Sequence, residues 1–195
     1  LLGEDLDCDP PYLRMEYIPG ESLEAVLQKN GSLPVKDALD IAEQVGKALA
    51  YAHEQGVIHA DVKPSNVLID PEGVARLTDF GLGLMPRDLA RSVLKSQAEL
   101  SNARSRSIVG TLDYMAPEQR AGEPIDARAD LYALGRMLYR MLTGSLPTGL
   151  RLPSEANASV PVALDSLIAR LLESRDARTP TASQFLRELV VSRQD

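Results

Sequence analysis

One cysteine and two histidines are all that 195 residues offer in the way of soft or imidazole ligands. Cys8 alone forms no intramolecular disulfide and, without other thiols, no zinc site, so it reads as a bystander near the surface. His53 and His59 are too few for a histidine-rich metal cluster. Positive charge is also short. With 21 Lys and Arg against 28 Asp and Glu, the formal net charge of −7 argues against a general nucleic-acid surface. No run of about 18 apolar residues occurs, so this segment is not expected to span a membrane. Neither is there a signal peptide, and the chain opens at Leu1 instead of Met, which suggests a fragment. What is present is an ordinary globular composition, 44% apolar and 25% charged, long enough for one domain with a real core.

The pattern predicts a mainly α fold with short β hairpins. Pro10-Pro11 marks a turn or hairpin stub, and the alternation from Tyr12 to Ile18 predicts a short strand that Pro19-Gly20 ends. A short helix is expected over Glu21 to Gln28. A long one is expected over Pro34 to Gln55, where Leu39, Ala42, Val45, Leu49 and Ala52 form one apolar stripe and Gly56 stops the run. His53 on that helix reads as a packed or hydrogen-bonded structural residue. Asp126 to Thr143 predicts a second long helix, roughly 27 Å at 1.5 Å per residue. Its apolar residues lie on more than one face, which places it in the middle of a domain. Ser145 to Pro161 reads as loop, and helices follow over Ala163 to Glu173 and Thr181 to Val191.

Chemistry concentrates between Val57 and Asp79. His-Ala-Asp-Val-Lys-Pro-Ser-Asn occupies 59–66, with Asp61 and Asn66 five residues apart around Pro64. Two short strands, 67–69 and 74–78, then turn at Asp70-Pro71-Glu72-Gly73 and lead to Asp79-Phe80-Gly81. Such a hairpin carries Asn66 and Asp79 back toward each other, within reach of one cation. Phosphoryl transfer asks for this set: a carboxylate to position a hydroxyl, a cation near the moving phosphate, and hard oxygen ligands for magnesium. Leu82 to Val109 then changes character, with Arg87, Arg91, Lys95, Arg104 and Arg106 interspersed among serines and an amphipathic helix conceivable over 88–100. A connection of that length is functional or disordered.

Taken in order, residues 59–66, Asp79-Phe80-Gly81, Ala116-Pro117-Glu118, Asp130 and Arg178 resemble the motifs of the eukaryotic-like Ser/Thr protein kinases, in particular their bacterial (Hanks-type) members. The resemblance covers the C-terminal lobe. It implies a protein-kinase-like fold, with 1–20 as the last N-lobe strand and hinge and 21–195 as the C-lobe, the catalytic loop at 57–66 and the activation segment at 79–118. Asp61 would then be the catalytic base, Lys63 would offset phosphoryl charge, and Thr111 would touch both. Asn66 and Asp79 would coordinate Mg2+, or Mn2+ in its place. Met15 would guard the back of the ATP pocket, Glu16 and Ile18 would offer backbone groups to the adenine, and Leu68 would lie beneath it. Asp130 would hold the backbone around His59 and Ala60, and Glu118 would pair with Arg178. Ser101, Ser105 and Ser107 become candidate phosphorylation sites on the activation loop, though the same composition suits a solvated loop.

Two departures qualify the resemblance. Alanine stands at position 60, where many members carry an arginine that pairs with the phosphorylated loop. Neither a Gly-x-Gly-x-x-Gly loop nor a strand lysine with its helix glutamate occurs upstream of Met15. The leading expectation is therefore the catalytic lobe of a cytoplasmic Ser/Thr kinase that uses ATP on protein hydroxyls, with these residues alone inactive or nearly so. A parent protein with a membrane anchor elsewhere is compatible with it. The alternatives are a non-catalytic kinase-like scaffold and, less consistent with residues 110–118, a small-molecule kinase of related fold. Apolar surface over Leu13, Met15 and Leu68 is expected to face the missing N-lobe or a second copy of the chain.

Overall fold

The computed structural model describes residues 3–5, 12–14, 16–80, 112–149 and 151–193. Cys8, Met15, Thr111, Ser101, Ser105, Ser107 and the stretch 88–100 fall outside them, as does the side chain of Leu13.

The central helix dictates the arrangement. Helix α4 (Arg128–Thr143) buries residues on every side, among them Leu131, Leu134, Met137, Leu138, Met141 and Leu142. A helix apolar all round needs neighbours all round. It gets them from α2 (Val35–Glu54) on one side and α6 (Ala163–Leu172) on another, and α2 in turn packs on α7 (Ala182–Ser192). The α2 stripe of Leu39, Ala42, Val45, Leu49 and Ala52 is buried throughout. Two glycines set how closely these helices approach. A Cβ on Gly46 would come 2.8 Å from Phe185 of α7, and one on Gly135 would come 2.7 Å from Cβ of Leu171 in α6.

Around this bundle lie short elements. Strands β1 (Gly3–Asp5) and β2 (Tyr12–Arg14) pair antiparallel. A second sheet, in the order β3-β4-β5, joins Glu21–Ser22, Val67–Ile69 and Ala75–Leu77. Helices α1 (Leu23–Asn30), α3 (Pro117–Ala121) and the single turn α5 (Pro153–Ala156) are the remaining α-helices among the described residues.

Several boundaries differ from the expectation, each for a local reason. The strand drawn over 12–18 ends at Arg14, where the register with β1 runs out. The helix drawn from Glu21 begins at Leu23, because Glu21 and Ser22 pair with β4 and the Ser22 hydroxyl caps α1 by accepting from the Ala25 N–H at 3.2 Å. In the same way Asp126 stands outside α4, its carboxylate accepting from the Arg128 N–H at 2.9 Å. The strand expected over 74–78 covers only 75–77, since the Val74 N–H turns to Asp70 Oδ1. Inside the expected loop 145–161 sits α5, whose Ser154 N–H and hydroxyl donate to the buried Asp165 at 2.9 and 2.5 Å. Among the described residues no helix is long and apolar enough to cross a membrane.

Candidate active site

The loop 57–66 is hung from α4 by one carboxylate. Asp130, 1% exposed, accepts from the backbone N–H of His59 at 2.9 Å and of Ala60 at 2.7 Å. Its third partner is His53 Nε2 at 2.8 Å, so a residue of α2 adds a hydrogen bond to a carboxylate that burial would otherwise penalise. His59 is fully buried and both its ring nitrogens are committed. Nδ1 accepts from the Asp61 N–H at 3.2 Å, which leaves the proton on Nε2 to be donated to the Thr78 carbonyl at 2.8 Å. The imidazole therefore ties the loop to the strand that ends beside Asp79. Its ring also meets Phe80, with centroids 4.5 Å apart and planes at 57°.

On this frame Asp61 and its neighbours converge. Lys63 Nζ lies 2.7 Å from Asp61 Oδ2. The Asn66 amide nitrogen donates to the Asp61 carbonyl at 2.8 Å and to Oδ2 at 3.1 Å, so the amide oxygen of Asn66 points to the opposite side. A 3-10 turn at Pro64–Asn66 produces this return, with Pro64 at its first position. Asn66 then starts the hairpin, and its carbonyl accepts from both the N–H and the hydroxyl of Thr78, at 2.9 and 3.2 Å. This clasp sets Asn66 and Asp79 at adjoining ends of β4 and β5. An amide oxygen and a carboxylate make a hard-oxygen pair that suits magnesium, an ion that takes its remaining ligands from phosphate and water. Among the described residues no cluster of three or more His, Cys, Asp or Glu forms a fuller cage.

Two residues here adopt left-handed backbone without being glycine, Ala60 at φ +64° and Asp79 at φ +65°. Each costs roughly 1–2 kcal/mol and persists only where the surroundings impose it. Ala60 directly precedes Asp61 in the loop, and Asp79 lies just past the hairpin.

The ion pair of Arg178 and Glu118 lies further along, with contacts of 2.6 and 3.2 Å and side-chain exposures of 0% and 5%. Arg178 also donates to the carbonyls of Glu173 and Arg128 and lies 4.9 Å from the Tyr132 ring centre. Burial pushes the Glu118 carboxyl up, but the hydrogen bonds from Arg178 and its own backbone, with the nearby arginine charges, outweigh that and leave it below its ordinary range. Beside Lys63 opens a groove of about 530 Å³ lined by Glu24, Lys63, Ser65, Tyr114 and Arg140 among others. Arg140 grips Glu24 at 2.7 and 2.9 Å and the Tyr114 hydroxyl at 2.7 Å. The hydrogen bond from Arg140 lowers the Glu24 carboxyl, while burial dominates at Tyr114 and raises its phenol.

Of the residues singled out in the sequence, Asp61, Lys63, Asn66 and His59 share one loop, Asp79 adjoins it, and Asp130 lies beneath it. Glu118 and Arg178 stand apart as a brace. Leu68 is half-buried on β4, and Glu16 and Ile18 lie in the irregular stretch after β2, exposed and half-buried respectively. His53 is the hydrogen-bonded structural residue that the sequence suggested, with Asp130 as the partner that was not foreseen; sequence reasoning missed Phe80 as the cover on His59, Arg140, and Gln119. Only Phe80 carried a signal, by its place between Asp79 and Gly81.

A mostly helical domain presenting an Asp–Lys–Asn loop beside a hairpin that leads to an aspartate defines the protein-kinase-like class. Residues 7–192 match the family model for the protein kinase domain, and the chain belongs to that family. It is similar to a probable Ser/Thr kinase PknB of Bifidobacterium longum, 36% identical over 92% of this chain and 27% of the relative. It is also similar to the Ser/Thr kinase PrkC of Bacillus subtilis, 34% identical over 94% of this chain and 24% of the relative. These likenesses make it a Hanks-type domain. Among solved structures it resembles the Mycobacterium tuberculosis PknI kinase domain, with a TM-score of 0.70 and 26% identity over 92% of this chain and 64% of that one. The chain thus spans less than a third of the length of these curated relatives.

Proposed function

We propose that this chain is the catalytic lobe of a Ser/Thr protein kinase, with residues 1–20 its hinge-side remnant and 21–195 the C-lobe. The observation that carries the reading is the Asp61 carboxylate fixed between Lys63 and Asn66, on a loop anchored at Asp130. In this role Asp61 orients the acceptor hydroxyl and takes its proton, while Lys63 offsets negative charge on the transferred group. Asn66 and Asp79 hold the metal. Magnesium, when bound, supplies charge neutralisation across the phosphate oxygens. The backbone of Glu16 and Ile18 and the side chain of Leu68 serve the adenine. Relatives named as Ser/Thr kinases support a protein substrate, and the groove beside Lys63 suits an extended peptide. An ATP-consuming lobe of this kind acts in the cytoplasm. Neither the glycine-rich loop nor the strand lysine lies in these 195 residues, so we expect them alone to transfer little or no phosphate.

Ala60 favours a second reading, a kinase-like scaffold without catalysis, because the usual arginine link to a phosphorylated loop is absent. Phosphate transfer from ATP to a protein substrate by the full-length protein separates the two. Asp61→Asn is expected to lower kcat by about 10²–10⁴-fold. Undiminished transfer by that variant would remove Asp61 from the mechanism, and ATP binding with no transfer by the wild type would favour the scaffold.

A further inference from the structure

Gln119 follows Glu118 and joins two backbone segments that are distant in the chain. Its Oε1 accepts from the Ala116 N–H at 3.0 Å, and its Nε2 donates to the Ala60 carbonyl at 3.0 Å. One partner only donates and the other only accepts, so the orientation of the amide is determined by its contacts. The first bond is half of a capping box and would serve any helix. The second is not a helix cap at all. It reaches across 59 residues to the one residue of the catalytic loop whose backbone is left-handed.

Ala60 is thus gripped on both sides. Its N–H is held from within α4 by Asp130, and its C=O is held from α3 by Gln119. Alanine does not stay at φ +64° unaided. Asp61 is the next residue, and the Ala60 peptide aims it. Helix α3 is itself fixed through Glu118 and Arg178, so the hold on Ala60 has a rigid base.

We propose that Gln119 is a positioning residue for phosphoryl transfer: by holding the Ala60 carbonyl it keeps the left-handed turn that sets the Asp61 carboxylate. It touches no reacting atom. The contact links the anchored end of the segment 79–118 to the catalytic loop without an arginine at position 60. This inference rests on the kinase reading above for its kinetic consequence, though not for the clamp itself.

The test uses the full-length protein, Gln119→Glu, Gln119→Ala, and each combined with Ala60→Gly. A glutamate keeps an oxygen for Ala116 but presents no donor to Ala60. Gln119→Glu is expected to speed amide hydrogen exchange at Ala60 and Asp61 about tenfold and to lower kcat about tenfold, with KM for ATP within about twofold. Its Tm should stay near that of the wild type, since the helix cap survives. In the Ala60→Gly background the same change should cost less than about threefold, because glycine adopts positive φ without help. Gln119→Glu with wild-type exchange at both amides would overturn the proposal. So would equal losses in the two backgrounds, or an effect confined to a lowered Tm in Gln119→Ala, which would make Gln119 a helix cap only. If the full-length wild type transfers no phosphate, the kinase reading fails, and the exchange rates alone decide the clamp.

Discussion

Replacing Arg178 by methionine removes a guanidinium and leaves its carboxylate partner behind. Methionine keeps much of the apolar stem, so the change chiefly isolates the charge. Glu118, with 5% of its side chain exposed, would then be a buried anion whose main partner is gone, and the carbonyls of Glu173 and Arg128 would each lose a donor. Breaking a buried pair on one side costs about 3–5 kcal/mol. For a protein of this size that lowers Tm by roughly 6–20 °C, at 2–4 °C per kcal/mol. The pH dependence carries a sign that can be checked. Glu118 is depressed below its ordinary value of 4.5, so in the wild type its contribution is full above that value and is lost as pH falls through the lower folded value. In the variant, burial acts without Arg178 and raises the same carboxyl, so its penalty is present at neutral pH and is relieved on acidification. The stability gap between the two proteins should therefore be widest near pH 7 and should close as pH falls. Urea titrations at several pH values measure it. Adding Glu118→Gln to Arg178→Met should recover part of the loss, because an amide is cheaper to bury than an anion. A cost below about 1 kcal/mol, typical of an exposed pair, or a gap that does not change with pH, would refute the account.

Two further outcomes follow from the packing and from the hairpin. Gly135→Ala would set a Cβ 2.7 Å from Cβ of Leu171, an atom that moves only with its helix, and should cost about 1–3 kcal/mol in urea unfolding. A cost near zero would mean that α4 and α6 separate more readily than their contact suggests. Calorimetric titration with ATP should give heat that depends on magnesium and is lost in Asp79→Asn. Binding that persists undiminished in that variant would take Asp79 out of the metal site.

The long helices were readable because their apolar spacing is a property of the chain alone. The stripe on α2 and the all-round burial of α4 follow from residue type and period, whatever the neighbours are. Helix starts were less readable, because a cap competes with the helix for the same residues. Glu21 and Ser22 could extend α1, but strand partners 48 and 46 residues on claim them, and those partners are invisible to local pattern. At the site, Asp61, Lys63 and Asn66 were legible because they share one short loop. The partners of His53, Arg140 and Gln119 were not, for each of these three acts across 59 to 116 residues and each is an ordinary helix residue by local standards. Nothing in a lone Gln after a Pro-Glu step announces that its amide ends on a strained alanine.

The same distinction explains how the loop is held. A turn with left-handed alanine does not arise from local preference, so its conformation has to be imposed by groups that fold elsewhere. Asp130 supplies two acceptors from the most buried helix in the lobe, and that helix owes its position to apolar packing, not to the loop. His59 then carries the constraint onward, since its ring joins the Asp61 N–H to the Thr78 carbonyl. Asp79 follows Thr78 directly and is the other left-handed residue. Strain at the two ends of the site is thus tied to one buried carboxylate and one buried imidazole, with the Gln119 amide completing the hold at Ala60. An intact core thus holds the Ala60 and Asp61 N–H groups, while the Ala60 carbonyl is held from outside that core by the Gln119 amide.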